Sequence, residues 1–251
     1  MSSAIKIKTP EEIKVMEEAG RILATIMKEL EKGVEPGTTT KELDRLTESL
    51  IFKYKGKPSF KGYNGFPACL CASVNEEVVH VAPSKRVLKE GDIVSLDLGF
   101  FYKGYHTDMA ITLPVGRIDH EAARLLRITK KALKRGIKKV VPGNTFGDIG
   151  NTIQRCAESH GFGVVRNLCG HGIGKKLHED PQILNCGKRR SGPEIKEGMV
   201  FCLEPMVTAG DWQIEKSEDG FGFKTADGSL SAHFEHTVAV TKSGTKILTL
   251  L

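Results

Sequence analysis

Glu90-Gly91-Asp92-Ile93-Val94-Ser95-Leu96-Asp97 and Glu197-Gly198-Met199-Val200-Phe201-Cys202-Leu203-Glu204 are one phrase written twice. Each copy runs through apolar, strand-forming residues to a terminal acid. A second echo precedes each copy: Pro36-Gly37-Thr38-Thr39 and Pro142-Gly143-Asn144-Thr145. The displacement is 107 positions for the first pair and 106 for the second. That is far longer than the roughly 20–50 residues of a solenoid repeat. It predicts two related half-domains that face each other, divided near residues 1–115 and 116–251 of one domain spanning 1–251.

The elements around these phrases repeat in the same order. Thr9-Pro10-Glu11-Glu12 reads as a helix start, with Thr9 at N-cap, Pro10 at N1 and Glu12 at N3. Ile13, Met16, Ile22, Ile26 and Leu30 recur near helical spacing. Pro36-Gly37 stops this helix, and Thr39 or Thr40 caps a second one through about Tyr54. Strands dominate from Ala68 to Val115. A helix follows at about 119–139, another runs from Thr145 to about His160, and strands return to the C-terminus. The order is α-α-β, twice, an α+β chain.

Composition narrows the class. The chain has 251 residues, 39% of them hydrophobic, enough for a substantial core. No apolar run approaches the roughly 20 residues of a membrane span, and Met1 to Pro10 lacks a signal-peptide core. A soluble, cytoplasmic protein is expected. Cys69, Cys71, Cys156, Cys169, Cys186 and Cys202 form no CxxC pair, which argues against structural zinc and for free thiols. The net charge is +6. Much of the excess lies in Arg124, Arg127, Lys130, Lys131, Lys134, Arg135, Lys138 and Lys139. This stretch reads as a solvated helix face, or as a docking face for RNA. It carries no interleaved aromatics, so neither sequence-specific RNA reading nor specific DNA binding is expected.

The repeat gives the polar residues meaning. Asp97 and Glu204 fall at equivalent positions on equivalent strands. Asp108, in His106-Thr107-Asp108-Met109, resembles Glu235, in Phe234-Glu235-His236-Thr237. His80-Val81-Ala82-Pro83 resembles His178-Glu179-Asp180-Pro181. His171, in Gly170-His171-Gly172, has no counterpart. Buried carboxylates escape their cost by protonation, pairing or metal binding. Any one of these acids alone could pair with a surface Lys or Arg. Four at duplicated positions point to shared cations instead. Four carboxylates and one imidazole suit two metals such as Mn(II), Fe(II) or Co(II). Such a site generates hydroxide near neutral pH and polarises a carbonyl, which is hydrolytic chemistry. No GxxxxGK[ST], GxSxG or HExxH motif is present to support a rival chemistry.

Read together, these segments resemble the type I methionine aminopeptidase family. The match adds Val74-Asn75-Glu76-Glu77-Val78-Val79-His80, Gly170-His171-Gly172-Ile173-Gly174 and Glu204-Pro205-Met206, and runs nearly end to end. The resemblance implies a pita-bread fold, with helices packed outside a curved antiparallel sheet and two divalent ions (Co, Mn, Fe or Zn) at its centre. It implies removal of the initiator methionine from nascent polypeptides when the next residue is small; Met1-Ser2 is itself such an end. It implies metal ligation by Asp97, Asp108, His171, Glu204 and Glu235, with Asp108 and Glu235 bridging. His80 and His178 would flank the scissile peptide, and Glu204 would shuttle protons. The methionine pocket would be formed by Tyr63, Phe66, Cys71, Leu177 and Phe221. Phe66, Leu177 and Phe221 stand where this family often has tyrosine, phenylalanine and tryptophan. Asn64 replaces a frequent histidine, and Val81-Ala82 a frequent Gly-Ile. Taken singly, these apolar residues would serve equally well as plain core. His106 and His236 are read as supporting groups, and His120, His160 and His233 as ordinary. The basic 124–139 face would serve transient ribosome association. The competing expectations are an X-Pro aminopeptidase or dipeptidase on the same fold, and a non-catalytic pita-bread binding module.

Overall fold

A computed structural model describes residues 5–242 and 244–251. Met1 and Ser2 therefore lie outside the described residues. Four helices set the frame: α1 (Pro10–Glu31), α2 (Thr40–Lys53), α3 (His120–Ile137) and α4 (Phe146–Glu158). Their starts are fixed by local chemistry. Thr9 and Glu12 form a reciprocal capping box at α1, and Thr39 and Glu42 repeat it at α2. Thr145 and Asp148 close the same box at α4, and the Asp119 side chain accepts from Ala122 N–H at α3. α1 stops at Glu31, short of Pro36-Gly37, because the chain turns at Gly33, whose N–H bonds the Leu30 carbonyl. Its buried stripe includes Met16, Ala19, Leu23, Ile26, Met27 and Leu30. Ile22 is only half-buried, because the small Ala19 and the adjacent Leu23 face the sheet instead.

The duplication is physical. Gly37 N–H bonds the Leu88 carbonyl, and Gly143 N–H bonds that of Ile195. Thr40 N–H bonds Arg86, as Phe146 N–H bonds Pro193. Leu88 N–H bonds Thr38, as Ile195 N–H bonds Asn144. Gly37 and Gly143 both sit at positive φ, +97° and +89°, which only glycine adopts without strain. The echo in letters is thus an echo in hydrogen bonds.

The strand of the first phrase, Ile93–Tyr102, pairs antiparallel with Tyr105–Pro114 and Cys71–Val74. The second, Val200–Leu203, pairs antiparallel with His236–Thr241 and Cys169–Gly172. α1 and α2 cover the first group with Leu23, Ile26, Leu30 and Ile51 against Leu70, Leu96 and Phe100. α3 and α4 cover the second with Leu125, Ile128, Ile149 and Ile153 against Phe201 and Val238. Ile111 packs against both clusters, so one strand serves both cores.

Two threonines stitch the halves together. Thr237 Oγ1 accepts from Asp108 N–H at 2.9 Å and donates to the Asp108 carbonyl at 2.7 Å. Thr112 Oγ1 accepts from His233 N–H and donates to the His233 carbonyl, both at 2.8 Å. The clamps are reciprocal. Leu96 pairs with Ile111, and its counterpart Leu203 pairs with His236. In that register Thr112 corresponds to Thr237, and Asp108 to His233. The letters alone align Asp108 with Glu235. The ladder instead sets Glu235 opposite the place of Ala110, two residues on. A two-residue step preserves the face, so both acids still point inward.

Candidate active site

Strands of both halves bring the predicted residues to one place. Asp97 and Asp108 come from the two arms of the Ile93–Pro114 hairpin. His171 lies on Cys169–Gly172; Glu204 follows Val200–Leu203, and Glu235 precedes His236–Thr241. All five line one cavity of about 1000 Å³, together with His80 and His178. All four carboxylates are at least nine-tenths buried.

These groups are short of partners. Asp97 Oδ1, Asp108 Oδ1 and Glu235 Oε1 are buried without a hydrogen-bond partner. Donor atoms of Asp97, Asp108 and Glu235 lie within 4.8 Å of one another, as do those of His171, Cys202 and Glu235. His171 Nε2 is 3.6 Å from Glu204 Oε1. His171 Nδ1 donates to the Gly172 carbonyl at 2.9 Å, so the Nε2 lone pair faces the acids. Burial pushes Asp97 up to about 7. Burial, then the charges of Glu235 and Asp97, push Asp108 well above the carboxylate range. Glu204 and Glu235 are raised for the same reasons, burial first and neighbouring acids second. Burial and His178 hold His171 down at about 3, a neutral imidazole at neutral pH. Orphaned inward oxygens, mutual repulsion and a neutral imidazole are what divalent cations resolve. The residues present fit such ions.

The two further histidines stand beside this cluster. Tyr63 Oη lies 2.9 Å from His178 Nδ1, and the His178 ring packs edge-on to His171 with centroids 4.3 Å apart. His80 follows the Glu77–Val79 strand at φ +61°, in the left-handed region. Burial, then His178 and Lys216, lower His80 to about 4; burial lowers His178 as well.

An apolar slot adjoins the acids. Tyr63, Phe66, Cys71, Leu177 and Phe221 all line the cavity. Phe66 meets Phe221 edge-to-face at 5.5 Å. Cys71 pairs with Asp97 across the ladder, which puts the slot next to the cluster. Asn64 also lines the cavity, at φ +47°.

Three residues of this region escape sequence reasoning. Cys202 stands two positions before Glu204 and so shares its face; that spacing was the available signal. Phe60 adds an aromatic wall 6.5 Å from Phe66. His233, read as ordinary, is buried with both ring nitrogens unpartnered, its Nε2 4.0 Å from Glu235. Burial and His80 lower it to about 3. His106 does not line the cavity: its ring bonds Ser59 at 2.8 Å, and its N–H holds the Gly174 carbonyl. His236 bonds Thr249 at 2.9 Å. Behind His178, Glu179 is held by the buried Lys8 ammonium at 2.9 Å. On α3, Arg127, Lys130, Lys134 and Arg135 are exposed, with Lys138 and Lys139 just beyond, whereas Arg124 and Lys131 turn inward onto His160.

The chain matches metallopeptidase family M24 over residues 14–242. It belongs to that family: a metal-dependent peptidase fold with its acids at the centre of facing halves. Full-length relatives within the family include methionine aminopeptidases. The one from Clostridium acetobutylicum is 49% identical over 247 residues, covering 98% of this chain and 99% of that one. Methionine aminopeptidase 1 of Bacillus subtilis is 48% identical, covering 96% and 98%. The crystal structure of methionine aminopeptidase from Thermotoga maritima superposes with a TM-score of 0.97 at 45% identity, covering 99% and 100%. The fold is the pita-bread fold. No helix among the described residues is long and apolar enough to cross a membrane.

Proposed function

We propose that this chain is a hydrolase that removes the initiator methionine from nascent proteins when the next residue is small, with residues 1–251 acting as one catalytic unit in the cytoplasm. The observation that carries this is the convergence of four buried carboxylates and His171 beside an apolar slot. Near-half identity along the whole of both chains supports the activity.

Asp97, Asp108, His171, Glu204 and Glu235 would hold two divalent ions. Glu235 belongs to both donor groups and suits a shared ligand, with Asp108 as its partner. Bound cations supply a Lewis acid and lower the pKa of water. The chain does the rest. Tyr63 donates to His178 Nδ1, which leaves the His178 proton on Nε2, free to bond the substrate carbonyl. Glu204 accepts the proton of the attacking water and returns it to the departing amine. His80 contacts the scissile amide as it turns tetrahedral. The methionine side chain fills the slot of Tyr63, Phe66, Cys71, Leu177 and Phe221. The exposed basic face of α3 would favour nascent chains by drawing the enzyme to ribosomal RNA.

A peptide panel tests the activity. Metal-loaded protein should release methionine from Met-Ala-Ser and spare X-Pro peptides. Cleavage of X-Pro peptides with Met-Ala-Ser untouched would give the fold a different function.

A further inference from the structure

The 217–222 turn carries Phe221 into the methionine slot; Ser217 N–H closes it on the Gly222 carbonyl, and the Val79–Phe223 ladder seats its base. Asp219 Oδ1 accepts from Phe221 N–H at 3.0 Å and from Gly222 N–H at 2.8 Å. Asp219 Oδ2 accepts from Ala82 N–H at 2.8 Å, across 137 residues of sequence. One carboxylate therefore ties the turn bearing Phe221 to the segment that follows His80. Gly222 packs so close to Val81 that a Cβ there would meet Val81 Cγ2 at 2.5 Å. Lys216 Nζ adds a bond to the Phe221 carbonyl at 3.2 Å. Among the described residues, no other hydrogen bond joins Ala82 to this turn. His80 itself sits at positive φ, a conformation its neighbours must enforce.

We infer that Asp219 is a positioning residue that sets the width of the methionine slot by locking the Phe221 wall to the His80 segment. The two oxygens divide the work: Oδ1 shapes the turn, and Oδ2 ties its tip to Ala82, beyond the Val79–Phe223 ladder that joins its base to the strand before His80. This rests on the reading of Phe221 as a wall of the methionine slot. Burial works against the charge, but the three N–H groups outweigh it and hold the Asp219 carboxyl below its ordinary range. Hydrogen bonds to a charged acceptor are the strong ones.

Asp219→Asn separates the two functions. Its amide oxygen keeps the Phe221 and Gly222 bonds, and its NH₂ cannot accept from Ala82. Steady-state kinetics on Met-Ala-Ser, norleucine-Ala-Ser and Leu-Ala-Ser read the outcome. Asp219→Asn should raise KM for Met-Ala-Ser about tenfold, the scale of one bond to a charged group. The kcat should move less, and the preference for methionine over leucine should shrink. Asp219→Ala should exaggerate both changes, with metal content unaltered, since none of the five proposed metal ligands lies on the turn. Unchanged KM and side-chain preference in the folded Asn variant would overturn the inference. Unselective or absent cleavage by the unaltered protein would instead overturn the slot itself.

Discussion

The tautomer of His178 hangs on a single hydroxyl. Tyr63 Oη reaches its Nδ1, while the ring itself is seated edge-on against His171. Tyr63→Phe keeps the aromatic wall and removes the donor. It should lower kcat/KM for Met-Ala-Ser about tenfold, the worth of a hydrogen bond lost at the reacting centre. His178→Ala should cost about 10²–10³-fold, as expected for loss of a group that acts in the transition state. Wild-type kinetics in Tyr63→Phe would refute a His178 tautomer protonated on Nε2. Legibility at this scale follows chemistry. Asp97 and Glu204 stand out because an acid among apolar strand residues contradicts its surroundings, and the repeat shows the contradiction twice. Cys202 and Phe60 contradict nothing where they stand, and Asp219 acts through backbone groups that leave no mark in the letters.

Among elements, the reciprocal threonine clamps provide a matched pair for experiment. Thr237 holds the backbone of Asp108, a proposed ligand; Thr112 holds that of His233, which is not one. Valine at either place keeps the shape and leaves buried backbone groups unpaired. Each variant should lose about 2 kcal/mol of stability by denaturant unfolding. Only Thr237→Val should also weaken Co(II) binding in a calorimetric titration. Equal affinity losses in both variants would show that the clamps stiffen the fold without aiming Asp108. Helix starts were legible because Thr-x-x-Glu boxes write themselves in sequence. The end of α1 was not, since Gly33 breaks it before the stronger Pro36-Gly37 signal is reached. The strand register was also hidden. The two-residue shift that makes His233 the twin of Asp108 leaves every acid on its expected face, so alternation cannot reveal it.

At the scale of the whole molecule, two similar halves meet and each gives acids to a shared centre, while charge of the opposite sign gathers outside. The exposed Lys130, Lys134 and Lys138 lie on or just past α3, with Lys131 half-buried beside them. Reversing these four to Glu should weaken ribosome cosedimentation, steeply so as salt rises, without changing Met-Ala-Ser hydrolysis. Undiminished cosedimentation would remove that partner from the account. Everything else depends on cations held between the halves. The most direct measurement is hydrolysis of Met-Ala-Ser by metal-free protein titrated in turn with Mn(II), Fe(II), Co(II) and Zn(II). The account predicts no turnover without metal and recovery that saturates with at least one of these ions. Full activity in the metal-free protein, or none with any of the four, would contradict it.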